Sequence, residues 1–227
     1  MKLVSVRSQG GTALGISIDG RTADAARTHA QNSRNFGAGS GALETMEALL
    51  AGGEEALAAA QRVCDLASES PEKAEWTTDA LAPSVPRPPK LLCLAGNYAE
   101  HIREGGGEAP EKGTTTPRVF MKPPTTTVIA SGEGVIIPSN AGSIDWEGEL
   151  GIVIGTRGKN ISADVALDHV VGYTIVNDVS ERSLVVPDGR APRDGDSWFD
   201  WINGKWQDTF APMGPWIVPA KSISDFY

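Results

Sequence analysis

Apolar and polar positions follow two different periods along the chain. Near the start, Leu3-Val-Ser-Val-Arg, a Gln-Gly-Gly turn, Thr12-Ala-Leu-Gly-Ile-Ser-Ile and Asp19-Gly20 set short β-type runs between glycine turns, which predicts a small antiparallel meander. The Gly/Ser/Asn-rich stretch from Asn32 to Gly41 is predicted as loop. From Leu43 the period lengthens. Leu43-Glu-Thr-Met-Glu-Ala-Leu-Leu-Ala and Glu54-Glu-Ala-Leu-Ala-Ala-Ala-Gln-Arg-Val-Cys-Asp-Leu-Ala carry apolar residues at helical spacing on either side of Gly52-Gly53, which predicts an αα-hairpin.

The four prolines of Ala82-Pro-Ser-Val-Pro-Arg-Pro-Pro-Lys90 cannot sit inside a helix or a central strand, so they mark a boundary: a small N-terminal α+β domain over 1–83 and a second domain over 84–227. The second part begins with a buried-strand pattern, Lys90-Leu-Leu-Cys-Leu-Ala-Gly96. A short helical turn follows, Asn97-Tyr-Ala-Glu-His-Ile-Arg-Glu104, broken by Gly105-Gly-Gly107. Strand-like runs come next at 118–122, 125–130, 134–138 and 143–154, then a short helix capped by Ser162 and reaching His169, then Val170-Val-Gly-Tyr-Thr-Ile-Val-Asn-Asp178. The class is α+β, with a mainly β second domain.

Composition narrows the partners. With 29 Asp+Glu against 20 Lys+Arg and no polybasic block, neither nucleic acid nor an anionic membrane is an expected partner. Cys64 and Cys93 sit in apolar surroundings without metal-ligand spacing and read as reduced, buried thiols of a cytoplasmic protein, with a bridge between them as the alternative. The first residues hold too short an apolar stretch for a signal peptide, and no later run could span a bilayer.

The candidate chemistry centres on Ser143-Ile-Asp-Trp-Glu-Gly-Glu-Leu-Gly-Ile-Val-Ile154. As a strand it points Glu147 and Glu149 to one face, with Trp146, Leu150, Ile152 and Ile154 on the other. Two like charges beside a buried sheet require a cation, either Lys/Arg or a metal. Asp178, ending another apolar run, is a candidate third oxygen ligand; three carboxylates without Cys or His suit Mg²⁺, Mn²⁺ or Ca²⁺. His101 and Glu104, three apart on a helical turn, can form a base and its orienting carboxylate on a glycine-hinged segment. Spacing alone singles out neither Arg182 nor Lys205.

The order of Gly96-Asn-Tyr-Ala-Glu-His-Ile-Arg-Glu104, Phe120-Met-Lys-Pro-Pro, Asp145-Trp-Glu-Gly-Glu-Leu150, Gly172-Tyr-Thr-Ile-Val-Asn-Asp-Val-Ser180 and Lys205-Trp-Gln-Asp-Thr-Phe-Ala-Pro-Met-Gly-Pro215 resembles the fumarylacetoacetate hydrolase family. The resemblance implies a mixed β-roll, barrel-like catalytic domain in a homodimer. It further implies a metal on Glu147, Glu149 and Asp178, a water-activating pair His101 and Glu104 on a lid, and Lys205, Arg182 and Tyr98 in the pocket. Two departures stand out. Ser183 follows Arg182 where the family commonly has an acidic residue, and the chain reaches Asp225-Phe-Tyr227 without the further strands and the Gly-Thr-Pro turn, as a C-terminally shortened member would.

The expected activity is metal-dependent, Mg²⁺ first, hydrolysis of a carbon-carbon bond in a 2,4-dioxo acid of the acylpyruvate type, with a small 2-oxo acid as ligand. The alternatives are decarboxylation or isomerisation at the same metal, and a binding remnant without activity.

Overall fold

The fold is described by a computed structural model covering residues 1–36, 40–183, 189–191 and 200–223. The meander forms as predicted: β1 (Lys2–Ser8), β2 (Gly11–Ile18) and β3 (Arg21–Asp24) pair antiparallel in that order, and the short β4 (Trp76–Thr77) closes the sheet beside β3. Asp24 ends β3 and caps α1 (Ala25–Gln31), its carboxylate accepting from the Arg27 N–H at 2.9 Å. The expected loop from Asn32 contains instead a helical turn, α2 (Ser33–Phe36), and a 3₁₀ turn from Ser40; residues 37–39 lie outside the described set.

Where the sequence predicts an αα-hairpin, the structure has one run, α3 (Met46–Glu69), kinked at Gly53. Gly53 has φ 58° and ψ −140°, a backbone geometry that only glycine adopts without strain, so the chain bends there. Met46, Leu49, Ala56, Ala60, Val63 and Ala67 fall on one face and are buried. Their core is continuous with the second half of the chain: Leu3, Leu14, Ile16, Leu49 and Val63 belong to the same buried cluster as Val153, Val176, Met213 and Ile217. The link is also polar. Leu3 and Ile217 exchange backbone hydrogen bonds of 2.9 and 2.8 Å, so the free edge of β1 is bridged by a residue more than 200 positions away.

The second half contains β5 (Leu91–Ala95), α4 (Ala99–Glu104), β6 (Arg118–Lys122), the helical turn α5 (Pro124–Thr127), β7 (Val128–Ala130), β8 (Ile144–Asp145) and β9 (Gly148–Ile154). A 3₁₀ stretch (Ala163–His169) leads to β10 (Val170–Asn177), β11 (Ser180–Glu181), α6 (Trp201–Lys205), β12 (Ala211–Met213) and β13 (Val218–Pro219). β10 is the spine: β9 pairs along it antiparallel on one side, and β13 and β12 take the other, with β7 parallel to β12. β5 pairs with β6, and β8 with β11, as separate two-stranded ladders.

Three strand expectations change. The run 125–130 opens as the turn α5, because Pro123-Pro124 holds its first residues in helical rather than extended geometry. Gly134–Pro138 takes no strand partner; its Ile136 N–H donates to the Thr209 hydroxyl at 2.8 Å instead of to a ladder. The run 143–154 is interrupted at Trp146-Glu147, between β8 and β9. The two-faced alternation of β9 holds, but its apolar side looks outward: Leu150 is 49% and Ile152 56% exposed, while Val153 is buried. Leu92 and Met121 on the β5–β6 ladder are likewise uncovered.

Candidate metal centre and active site

The register of β9 against β10 assembles the acidic cluster. Glu149 stands opposite Val176 in an antiparallel pair, so their side chains share a face. Two residues on, the Asp178 N–H donates to the Glu147 carbonyl at 2.8 Å, which continues the same parity. The Asn177 side-chain oxygen accepts from the Glu147 N–H at 2.9 Å and holds the interruption between β8 and β9 in place. Glu147, Glu149 and Asp178 thereby offer one carboxylate oxygen each within 4.8 Å of one another.

Cations surround this cluster unevenly. Lys205, at the end of α6, donates to Glu147 Oε2 at 2.9 Å and to Asp178 Oδ2 at 2.7 Å. α6 is itself started by Asp200, whose carboxylate accepts from the Ile202 and Asn203 N–H groups. Lys122, ending β6 and wholly buried, binds Asp178 Oδ1 and donates to the Val179 carbonyl at 2.9 Å. Arg182 reaches Asp145 Oδ2 through Nε at 3.2 Å and Nη2 at 3.0 Å, and Nη2 also binds Glu147 Oε1. The Ser180 hydroxyl lies within reach of both Glu147 Oε1, at 3.2 Å, and the Asp178 carbonyl, at 2.9 Å, and can donate to either.

Electrostatics separate the two glutamates. Burial works to raise the Glu147 carboxyl, but the Lys205 hydrogen bond and charge, joined by Arg182, outweigh it and hold the group below the ordinary glutamate range. Glu149 has no such partner among the described residues. Burial, with the charges of Asp178 and Glu147, pushes it up to about 7. Four carboxyl groups, Asp145, Glu147, Glu149 and Asp178, thus face three cations, Lys122, Arg182 and Lys205, and Glu149 is the one without an ion-pair partner among the described residues. An all-oxygen donor set with one carboxyl group so placed fits a hard divalent cation.

Two members of the cluster, Glu147 and Asp178, line a cavity of about 590 Å³ together with His101, Arg182 and Lys205, with Phe120, Trp201 and Ile102 as apolar wall; Glu149 is not among the lining residues. Phe120 and Trp201 pack at 5.0 Å between ring centroids. His101, on α4, approaches the cluster: its Nε2 is 3.6 Å from Glu147 Oε1 and 3.4 Å from Arg182 Nη2. Its expected partner Glu104 is 3.9 Å from Nδ1, beyond hydrogen-bond length, and largely exposed. Tyr98 is not among the residues lining the cavity; its hydroxyl accepts from the Leu150 N–H at 3.2 Å and tethers α4 to β9.

Residue spacing missed Lys122, Asp145 and Ser180. No local signal distinguishes Lys122, since a lysine ending a β-type run reads as solvated and its burial comes from Asp178, 56 positions away. Ser183, in place of the family's usual acid, uses its N–H to bind Glu181 Oε1 at 2.7 Å.

The family model for fumarylacetoacetate (FAA) hydrolase, C-terminal, matches residues 90–227, more than half of the chain. The chain belongs to the fumarylacetoacetate hydrolase family. Among relatives of this family, the chain is 37% identical over 182 residues to the mitochondrial oxaloacetate tautomerase FAHD2A of Bos taurus, covering 80% of this chain and 53% of that protein. The solved fumarylacetoacetate hydrolase of Exiguobacterium antarcticum superposes with a TM-score of 0.68 at 25% identity, over 99% of this chain and 68% of that one. The 5-carboxymethyl-2-hydroxymuconate delta-isomerase of Mycobacterium smegmatis does so with a TM-score of 0.57 at 26% identity, over 97% and 67%. The chain spans about half the length of the curated relatives it matches. Among the described residues no helix is long and apolar enough to cross a membrane.

Proposed function

We propose that the protein is a divalent-metal-dependent hydrolase that cleaves a carbon-carbon bond in small 2,4-dioxo acids of the acylpyruvate type. The observation that carries the reading is the convergence of Glu147, Glu149 and Asp178, of which Glu147 and Asp178 line a cavity that also presents His101, Arg182 and Lys205. The three carboxylates would hold the ion, Mg²⁺ in the first instance and Mn²⁺ or Ca²⁺ as alternatives. Bound there, the ion supplies Lewis-acid polarisation of the substrate's carboxylate and 2-oxo oxygens.

The chain's own residues account for the rest. Arg182 and Lys205 supply positive charge in the cavity, where an acidic protein offers an anionic substrate no long-range attraction. His101 Nε2 takes a proton from water, and the water oxygen bonds to the distal carbonyl carbon. As the carbon-carbon bond breaks, its electron pair passes to the pyruvate fragment as an enolate, whose charge Lys205 Nζ stabilises; the proton held on His101 then returns to carbon. Glu104, on the same helical turn of α4, orients His101 once a side-chain rotation shortens the 3.9 Å gap to a hydrogen bond. Phe120 and Trp201 exclude bulk water from this step.

A second reading keeps the site and moves a proton without an attacking water, as in isomerisation, tautomerisation or decarboxylation of a 2-oxo diacid. It is favoured by the 37% identity to a relative named as an oxaloacetate tautomerase. Measuring pyruvate release from an acylpyruvate, enol-keto exchange of oxaloacetate and CO₂ release from oxaloacetate on one preparation separates the two. Pyruvate release that depends on added Mg²⁺ supports hydrolysis; exchange or CO₂ release alone transfers the assignment to the second reading. Absence of all three, together with no Mg²⁺ binding by calorimetry at millimolar metal, sinks both.

The same proposal makes the protein a cytoplasmic homodimer. The outward apolar faces of β9 and of the β5–β6 ladder, with Leu92, Met121, Leu150 and Ile152, are surface that a second copy would cover, and sedimentation velocity tests it.

A further inference from the structure

Asp178 is held by two lysines that do not do the same thing. Lys205 meets Oδ2 at 2.7 Å from the cavity side and itself lines the cavity. Lys122 binds the other oxygen, Oδ1, has no exposed surface, and is not among the cavity's lining residues. Its second hydrogen bond, to the Val179 carbonyl at 2.9 Å, ties the ammonium to the backbone next to Asp178, and the Phe210 ring lies 5.9 Å away. The β5–β6 ladder, in which Lys122 stands opposite Leu91, carries this lysine to a point 56 residues away from its carboxylate in sequence.

An ion entering from the cavity can compete with Lys205 for Oδ2, because both approach from the same side. It cannot take Oδ1 without displacing Lys122, which would leave that fully buried ammonium with the Val179 carbonyl alone and no counter-charge, and that is costly. We propose that Lys122 is a positioning residue for the metal centre: it fixes Asp178 through Oδ1 and leaves Oδ2 aimed at the ion. This rests on the metal-binding reading above and adds a residue that touches neither ion nor substrate.

The test is Mn²⁺ binding by calorimetry, with no substrate present, on the wild type, Lys122→Met and Val63→Ala, each checked by circular dichroism and thermal unfolding. Val63 is buried in the α3 core and belongs to no part of the site, so its truncation lowers stability alone. The expected result is that K122M binds Mn²⁺ roughly 10–100-fold more weakly, the usual cost of removing a partner that orients a ligand, while V63A melts early yet binds as the wild type does. If K122M does not fold, K122R is read in its place; the larger planar guanidinium cannot occupy the ammonium's seat without moving Asp178, and a loss of at least severalfold is expected. Wild-type affinity in whichever lysine variant is read, or an equal loss in V63A, overturns the role of Lys122 and leaves the metal site standing. No Mn²⁺ binding by the wild type overturns the metal reading and this inference with it.

Discussion

The Asp178 N–H donates to the Glu147 carbonyl at 2.8 Å, and this one backbone bond joins the two strand ends that carry the acidic cluster. It extends the β9–β10 ladder by one pair past the interruption at Trp146-Glu147, so Glu147, Glu149 and Asp178 keep a common face although β8 and β9 are separate strands. Of the three carboxylates only Glu149 lies within a strand; Glu147 and Asp178 sit just past the ends of β9 and β10, and this backbone bond, with the Asn177 side chain on the Glu147 N–H, keeps them in the ladder's register.

Glu149 should make the metal-free protein less stable as pH rises. Its carboxyl is raised in the folded chain from an ordinary 4.5 to about 7, so the protonated form favours folding. That contribution is complete below about 4.5 and is lost as pH climbs through about 7. Glu147 has the opposite sign: its lowered carboxyl contributes stability above the ordinary value that is lost as pH falls. Urea midpoints of the metal-free protein at pH 6 and pH 8 should differ, and Glu149→Gln should remove most of the drop. Because an ion binds only the deprotonated group, Mn²⁺ affinity should rise about tenfold between those two pH values if the raised carboxyl alone governs it. A flat profile would remove Glu149 from the ligand set.

His101→Ala should separate binding from chemistry. The ring approaches Glu147 Oε1 at 3.6 Å but donates no carboxylate to the cluster, so Mn²⁺ affinity should stay within about twofold of the wild type. Turnover should fall by roughly 10²–10⁴, the usual contribution of a general base. Glu104→Gln should cost less, since Glu104 only orients the ring. Calorimetry and a stopped-time pyruvate assay on the same samples check both; full turnover by H101A would remove it from the mechanism.

What the sequence made legible was parity. Alternation along β9 placed Glu147 and Glu149 on one face, and that face holds in the structure. Parity does not say which face packs, however: Leu150 and Ile152 are the exposed side, and the carboxylate side faces the interior with Val153. Val135-Ile-Ile had the composition of a strand and lacks only a partner, which no local pattern can supply. Lys122 and Lys205 looked like two of many basic residues, because their burial depends on contacts with Asp178 that are 56 and 27 positions distant. The kink at Gly53 was signalled by its glycine pair, but whether the chain reverses or merely bends there is decided by packing on the N-terminal sheet.

Ile217→Ala should show how far the two halves of the chain depend on each other. Ile217 is fully buried, joins the common core and exchanges backbone hydrogen bonds with Leu3 that the substitution leaves intact. The loss is then one of packing alone, about 2–5 kcal/mol for a large-to-alanine change in a core. If the halves share one cooperative unit, tryptophan fluorescence in a Trp76→Phe background, which removes the tryptophan of the N-terminal sheet, and far-UV circular dichroism should shift together by that amount. Two separated transitions would show that the N-terminal sheet and α3 unfold independently of the strands bearing the site.

Glu181→Ala should loosen the site without touching a ligand. The Glu181 carboxylate is buried and accepts from the N–H groups of Gly142 and Ser143 at 2.9 Å and of Ser183 at 2.7 Å. Burial works to raise this carboxyl, but those backbone N–H groups hold it below the ordinary glutamate range. Through them Glu181 fastens β8 to β11, and β8 presents Asp145 to Arg182. Removing the carboxylate strands three backbone donors, of which solvent can recover some, so a loss of about 2–3 kcal/mol is expected. Glu181→Gln keeps one accepting oxygen but points an amide donor at other donors, and should recover only part of it. Arg182 would then lose the fixed Asp145 that holds its guanidinium against Glu147, so KM for a 2-oxo acid should rise more than kcat falls in E181Q. A KM unchanged in a variant of clearly lowered Tm would mean that Glu181 serves stability alone.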